Sequence, residues 1–131
     1  MKKDIEIPEV EGVYLAAVNQ YNEAFKAHEW NVYLINDRRD PIEMVLIVSK
    51  GYAGETKSSV MRHKIEKLPP GSFAKVEYLQ DEMLSLNNEF QVTFFAEGKM
   101  FEKKFLFRKN SINQKALQEL PLIPENGVLL K

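Results

Sequence analysis

The chain has 131 residues, 44% hydrophobic and 28% charged, which is typical of a folded globular chain and excludes a disordered one. Its formal charge of -1 excludes a long-range attraction to nucleic acid or to an anionic membrane. The absence of cysteine excludes disulfides, thiolate metal sites and a cysteine nucleophile. The length predicts a single domain over residues 1–131.

The amino-terminal stretch MKKDIEIPEVEG continues after its two lysines with alternating acids and a proline, not with an apolar run. This pattern predicts no secretory signal. No apolar stretch of the chain approaches the length needed to span a membrane. We therefore predict a cytoplasmic protein that makes no membrane contact.

The first apolar segment, GVYLAAVNQYNEAFKAHE, is compatible with a helix or with a strand. A helical stripe runs through residues 14–25, while Val13, Leu15 and Ala17 alternate as they would in a strand. A glycine without a capping side chain precedes the segment, and the Val-Tyr-Leu start has strand propensity. We favour a strand from about Gly12 to Tyr21.

Two apolar runs flank the charged stretch NDRRD. β-Branched and aromatic residues dominate both runs, 32–35 and 44–48, and predict two strands. Between them lie turn-forming Asn, Asp and Pro residues, which predict a hairpin with a solvated, charged tip. The alternative is a small ion site formed by Asp37, Arg38, Arg39 or Asp40.

Further strands are predicted at short spacing along the middle of the chain. In MRHKIEKL, His63 alternates with Met61 and Ile65, so we expect it to face the core with a hydrogen-bond partner. The prolines of LPPGS must turn the chain at a corner, because they cannot donate to a β-ladder. In the next strand, alternation places Ala74, Val76 and Tyr78 on one face and Lys75 and Glu77 on a wet face.

The stretch NEFQVTFFAEGKMFEKKFLFRKN contains the clearest hairpin pattern, with Glu97 and Gly98 as its turn. The inward residues are expected to be Phe90, Val92, Phe94, Phe101, Phe105 and Phe107. Beyond it, residues 113–120 predict a short helix that ends before Pro121, followed by a turn and a short tail.

Candidates for catalysis are few. The chain has two histidines and no cysteine, so no metal site, cofactor site or catalytic residue is predicted. Ser58 and Ser59 precede His63 without a Gly-x-Ser-x-Gly elbow, and no triad is predicted. The stretch SKGYAGETKSS lacks the Gly-Lys-Ser/Thr order of a phosphate loop and is interpreted as a polar loop.

A nucleic-acid surface is the alternative function. The stretch KMFEKKFLFRK interleaves phenylalanines with Lys99, Lys103, Lys104, Arg108 and Lys109, a pattern that can bind single strands or tRNA by stacking and charge. Alternation favours phenylalanines that face the core and cations that guard an edge strand. The near-neutral chain also argues against phosphate binding, so we do not expect a nucleic-acid partner.

Surplus apolar surface is the main anomaly. Trp30, Val32, Leu34, Met44, Leu46 and Val48 are predicted to face the core, which leaves a second apolar face made of Tyr33, Ile35, Val45 and Ile47. Antiparallel sandwiches usually leave one face wet, so terminal segments containing Leu117 and Leu120, or another subunit, must cover the second face. We predict a non-catalytic domain for protein–protein interaction or scaffolding, as a homodimer or with another protein, in preference to a small enzyme.

Seven candidate strands, the LPPGS corner and the order of hairpins resemble an immunoglobulin-like antiparallel β-sandwich, here with a short C-terminal helix. The segments WNVYLIND, IEMVLIVSKGY, NEFQVTFFAEGK and ALQELPL are also similar to a family of short bacterial proteins with no established activity. Some members carry the label phenylalanyl-tRNA synthetase alpha subunit. A synthetase catalytic domain is much larger, and its ATP-binding arginines have no counterpart in this chain. We interpret that label as a misannotation.

Overall fold

A computed structural model describes residues 10–131, which form mainly β structure in two antiparallel sheets. The prediction that there is no secretory signal concerns residues 1–12, most of which lie outside the described residues. Among the described residues, no helix is long and apolar enough to cross a membrane.

Nine strands and two short 3-10 turns make up the regular structure of residues 10–131. The strands are β1 (Val13–Asn22), β2 (Ala27–Asn36), β3 (Ile42–Ala53), β4 (Thr56–Lys57), β5 (Met61–Leu68), β6 (Ser72–Leu79), β7 (Asn87–Ala96), β8 (Lys99–Phe107) and β9 (Gly127–Leu130). The 3-10 turns are Asp81–Ser85 and Gln114–Ala116.

The first sheet has the order β6-β2-β1-β9. In the second sheet, β3 pairs with β7 on one side, and β7 pairs with β8. On its other side, β3 pairs with β5 along most of its length and with the short strand β4 at its end. The main core fills the space between the sheets, where the largest buried side chains include Phe90, Phe94, Phe107, Leu15 and Leu34.

The first segment is a strand, so the favoured prediction for residues 13–21 is confirmed. The predicted helix over 113–120 is wrong, because only one 3-10 turn forms there, capped where the Asn113 side chain accepts from the Lys115 amide. The chain then runs extended, and Gln118 pairs with Gly127 ahead of β9. This path carries Leu120 and Ile123 onto the first sheet.

The charged stretch NDRRD is not the tip of a hairpin, so that prediction is wrong. β2 and β3 belong to different sheets, and residues 37–41 cross between them. Asn36 is fully buried, and its amide donates to the backbone oxygens of Asp40, Leu68 and Pro69. One side chain therefore ties this crossover to the LPPGS corner, where the chain passes back to the first sheet.

Arg38 of the charged loop makes its contacts within the protein. Arg38 forms an ion pair with Asp40 at 3.2 Å and donates to the Glu11 backbone oxygen at 3.0 Å. Its guanidinium carbon also lies 5.5 Å from the centre of the Phe101 ring. Arg38 is thus occupied by internal contacts that close this end of the sandwich.

The predicted orientation of β3 is inverted in the structure. The pairing with β7 shifts register between Glu43 and Leu46, and Met44 has a φ of 49°. The irregularity changes the phase of the strand, so that Val45 and Ile47 enter the main core while Met44 and Leu46 are exposed. The prediction that Met44 and Leu46 face the core is wrong.

The β7–β8 hairpin forms as predicted, and its inward phenylalanines and Val92 are buried. Glu97 and Gly98 have φ values of 53° and 72°, the left-handed pair that a two-residue type I′ hairpin turn needs. The turn residues and the alternation therefore specify this part of the fold together.

The outer face of the first sheet is covered by the chain's own C-terminal segment. Ile35, Ala16 and Val18 form a second buried cluster with Ile123, and Leu120 packs against it. Of the two leucines predicted to cover an apolar face, Leu120 packs on this cluster, whereas Leu117 packs against the main core.

Candidate functional site

A cleft of about 710 Å³ opens between β5 and β6, the neighbouring edge strands of the two sheets. The LPPGS corner joins these two strands. The lining residues are Ser49, Lys50, Ser58, Ser59, Met61, His63, Lys75, Val76, Glu77, Tyr78, Gln80 and Met83.

A β-bulge turns Glu77 into this cleft. The β2–β6 register places Val32 opposite Glu77 but Tyr33 opposite Lys75, so Val76 is an extra residue in β6. Bulges break alternation and re-aim side chains. Because Val32 faces the core, Glu77 also turns inward, and its side chain is only 7% exposed. The prediction that Glu77 lies on a wet face is wrong.

Two side chains from the second sheet bond the same carboxylate oxygen. Ser49 of β3 donates its hydroxyl to Glu77 Oε1 at 2.7 Å, and His63 Nε2 of β5 lies 2.8 Å from that atom. A carboxylate only accepts, so the proton between His63 and Glu77 is on Nε2. The prediction that His63 faces inward with a hydrogen-bond partner is confirmed.

The second oxygen of Glu77 remains available. Among residues 10–131, no side chain or backbone group donates a hydrogen bond to Glu77 Oε2. A buried carboxylate is costly unless its oxygens are paired or solvated. Glu77 therefore offers one acceptor atom to water or to a ligand in the cleft.

The inverted phase of β3 is what brings Ser49 to the site. Beyond the irregularity at Met44, Val45, Ile47 and Ser49 all face inward. The β3–β5 register pairs Ile47 with His63, which places the imidazole on the same inner face. Two irregular positions, one in β3 and one in β6, thus create a cluster that regular alternation would have kept apart.

The lysines of the cleft direct their charges elsewhere. Lys50 Nζ lies 3.7 Å from Glu89 Oε2 on the outer face of the second sheet. Lys75 lies opposite Tyr33 on the outer face of the first sheet. Hydrogen bonds from Asn22 and Asn31 lower the pKa of Glu29, and the charge of Lys75 also lowers it. Both lysines line the cleft, but their charges lie on the outer faces of the two sheets.

The rest of the wall is largely apolar. Met61, Val76, Tyr78 and Met83 surround the polar cluster. Gly51 permits the approach of Met83, since a Cβ at this position would lie 2.6 Å from Met83 Cε. The end of the Met83 side chain, on the 3-10 turn that follows β6, therefore packs against β3 at Gly51.

The cluster is not arranged as a Ser-His-acid triad. In a triad the imidazole lies between the hydroxyl and the carboxylate, whereas here Ser49 and His63 both bond Glu77 directly. Ser58 donates to the Ser59 backbone oxygen and accepts from the Gly51 amide, so it supports the loop. This geometry is suited to presenting a carboxylate.

The four residues predicted to form an interaction surface do not meet on one face. Tyr33 and Ile35 lie on the outer side of the first sheet under the C-terminal segment, whereas Val45 and Ile47 are buried in the main core. The proposed joint surface was wrong because β2 and β3 are in different sheets and β3 has the opposite phase.

The residues of the alternative nucleic-acid surface are Lys99, Lys103, Lys104 and Arg108. Lys103 Nζ lies 4.9 Å from the centre of the Phe105 ring, and burial lowers the pKa of Lys103. Lys104 points outward, with Nζ 4.0 Å from Glu89 Oε1. The phenylalanines are buried, so this strand offers no row of exposed rings for bases to stack on.

Comparison of the chain with protein-family models, with curated proteins and with solved structures returned no match.

Proposed function

We propose that the protein is a non-catalytic binding domain that holds a small ligand in the cleft between β5 and β6. The observation that carries this proposal is the Glu77 carboxylate, which a bulge directs into an apolar-walled cleft with one oxygen that residues 10–131 leave unbonded. A carboxylate that served only the core would be expected to have both oxygens paired. A cleft of about 710 Å³ is within the size range of small-molecule sites.

The proposal is tested by locating fragment binding on the protein surface. Amide and methyl NMR spectra are recorded with a library of small polar and apolar fragments. Binders should shift the resonances of Met61, Met83 and Tyr78 first. Met61→Trp should block the cleft, because Met61 is half-exposed at its wall. Phe25→Trp is the control, since Phe25 is exposed in the turn between β1 and β2 and lies outside the cleft.

Loss of binding in Met61→Trp and its retention in Phe25→Trp are the expected results. If no fragment perturbs the cleft, or if the same shifts persist when Met61 is replaced, the cleft is not a ligand site and the proposal fails.

We also propose that the architecture is an immunoglobulin-like variant. Its support is that β1, β2 and β6 are neighbours in one sheet, while β3, β7 and β8 are neighbours in the other. The immunoglobulin fold distributes its strands in the same order. Strands β4 and β5 extend the second sheet. This proposal concerns the fold alone and supplies no function.

Self-association through protein contacts is the second candidate function. Its observation is the outer apolar patch of the second sheet, which we define as Met44, Leu46, Phe95 and Met100, all exposed. The register places Phe95 beside Met100 on β8 and opposite Glu43 next to Met44. Contiguous apolar patches on a surface often mark interfaces. A second copy of the chain is the proposed occupant.

Sedimentation of the wild type and of Met100→Lys tests this candidate. We expect a wild-type dimer at tens of micromolar and a monomeric variant with an unchanged thermal melt, because Met100 is exposed. A wild-type monomer at that concentration would rule out the homodimer.

A further inference from the structure

We propose that the cleft selects a primary ammonium group carried on an aliphatic stem. This inference rests on the proposed function, since it names the chemistry of the ligand that the cleft would hold. The recognising atom is Glu77 Oε2, and the stem would lie along the apolar wall formed by Met61 and Met83.

Charge is the first argument. Among the described residues that line the cleft, Glu77 is the only acidic one, and Ser49 adds no charge, so the negative charge of the cleft comes from Glu77. The ammonium groups of Lys50 and Lys75 lie on the outer faces of the sheets. A cationic ligand would therefore provide the opposite charge that Glu77 lacks within the cleft. An anionic ligand would be repelled by the carboxylate.

Hydrogen-bond geometry distinguishes an ammonium from a guanidinium. A guanidinium binds best through two parallel bonds to both oxygens of a carboxylate. In Glu77, Oε1 already accepts hydrogen bonds from Ser49 and from His63, so the two oxygens are not both available to a guanidinium. An ammonium acts as a compact donor and needs only Oε2.

The walls suit a flexible stem. Methionine is unbranched and polarisable, so Met61 and Met83 can adapt to an aliphatic chain. Ser58 and Ser59 also line the cleft. The site thus combines one acidic anchor with an adaptable apolar channel.

The test compares three ligands of equal chain length: hexylamine, 1-hexanol and hexanoate. Each is titrated into the protein at neutral pH and fixed ionic strength, and the amide and His63 imidazole resonances are followed by NMR. Weak affinities, in the millimolar range, are expected for ligands of this size. Hexylamine should bind roughly tenfold or more tightly than 1-hexanol, the gain from a hydrogen bond between charged groups. Hexanoate should bind more weakly than 1-hexanol.

Two variants assign the preference to Glu77. Glu77→Gln keeps the size and the acceptor for Ser49 and His63 but removes the charge, so hexylamine should lose its advantage while 1-hexanol still binds. Glu66→Gln is the control, because Glu66 is an exposed carboxylate on β5. Gln80→Lys adds a cation at the exposed rim and should weaken hexylamine several-fold without weakening 1-hexanol, which keeps the test valid if Glu77→Gln fails to fold.

The outcomes separate the two proposals. If 1-hexanol and hexylamine bind in the cleft with equal affinity, or if Gln80→Lys leaves hexylamine binding unchanged, the ammonium inference is wrong while the cleft remains a ligand site. If none of the three ligands perturbs the cleft and the fragment library does not either, the proposed function fails first. A lysine with blocked amino and carboxyl termini is titrated in parallel. Its binding would show that the cleft accepts a lysine side chain of a peptide as well as a free amine, and binding of either ligand supports the inference.

Discussion

Replacing Ile47 by alanine tests the phase of β3, on which the position of Ser49 depends. Ile47 is fully buried in the main core, and its neighbour Leu46 is 43% exposed on the opposite face. A regular strand with the phase predicted from the sequence would reverse these environments. The pair Ile47→Ala and Leu46→Ala therefore removes the same number of carbon atoms from positions that differ only in which face they occupy.

The expected magnitudes differ several-fold. Ile47→Ala removes the side-chain carbons beyond Cβ, a transfer free energy of ~2.4 kcal/mol at ~0.8 kcal/mol per group. The cavity left in a packed core adds roughly 1 kcal/mol. We expect the free energy of unfolding to fall by about 3 to 4 kcal/mol for Ile47→Ala, and by less than about 1 kcal/mol for Leu46→Ala.

Urea unfolding followed by tryptophan fluorescence measures both losses. Trp30 is the single tryptophan and is buried in the main core, so its emission reports on loss of the core. With a urea dependence of about 2 kcal/mol per molar, Ile47→Ala should lower the midpoint by roughly 1.5 to 2 M. Equal losses in the two variants, or a larger loss in Leu46→Ala, would refute the assigned phase of β3.

Three further substitutions test other contacts of the fold. Gly51→Ala should change the free energy of unfolding by less than about 1 kcal/mol, because the atom that the new methyl group would meet is Met83 Cε, the end of a flexible side chain that can move aside; a thermal melt measures this, and a clearly lower melting temperature would show that Met83 is held in place. Asn36→Ala should cost more than about 3 kcal/mol in urea unfolding, because it leaves backbone oxygens at two crossovers without their donor; a loss below about 1 kcal/mol would show that the amide does not tie them together. Burial lowers the pKa of Lys103 in the folded state, so the unfolded chain binds more protons below the usual lysine pKa and stability should rise with pH through that window. Lys103→Met should remove this part of the pH dependence of stability, which thermal melts across alkaline pH measure. The same pH dependence in both proteins would exclude Lys103 as its source. The substitution should also increase self-association at the β8 edge, which light scattering detects.

Local rules were sufficient where a segment's environment follows from its own residues. In the β7–β8 hairpin, the period of two and the Glu97-Gly98 turn specify both the pairing and the inward phenylalanines. The corner at Pro69 and the inward direction of His63 were predictable for the same reason. Each depends on backbone restriction or alternation within one stretch, with no irregularity to change the phase.

The same rules failed at two irregular strands. Alternation in β3 and β6 placed Leu46 inside and Glu77 outside, and the structure reverses both. Met44 and Val76 carry no turn or glycine signal for an irregularity, so nothing in the local pattern indicated a change of phase. A positive φ at Met44 is unusual for a residue of this type, and only the paired strands can hold it.

The sequence by itself therefore determined the β class, most strand positions and the aromatic core, because these follow from side-chain periodicity and turn chemistry. The tertiary structure decided which strands share a sheet, which face of β3 is buried and that Glu77, His63 and Ser49 meet. Sheet membership and register depend on contacts between residues far apart in the chain, and one extra residue in a strand reverses every side chain beyond it. The candidate site is a product of those long-range pairings, which is why no single stretch of sequence contained it.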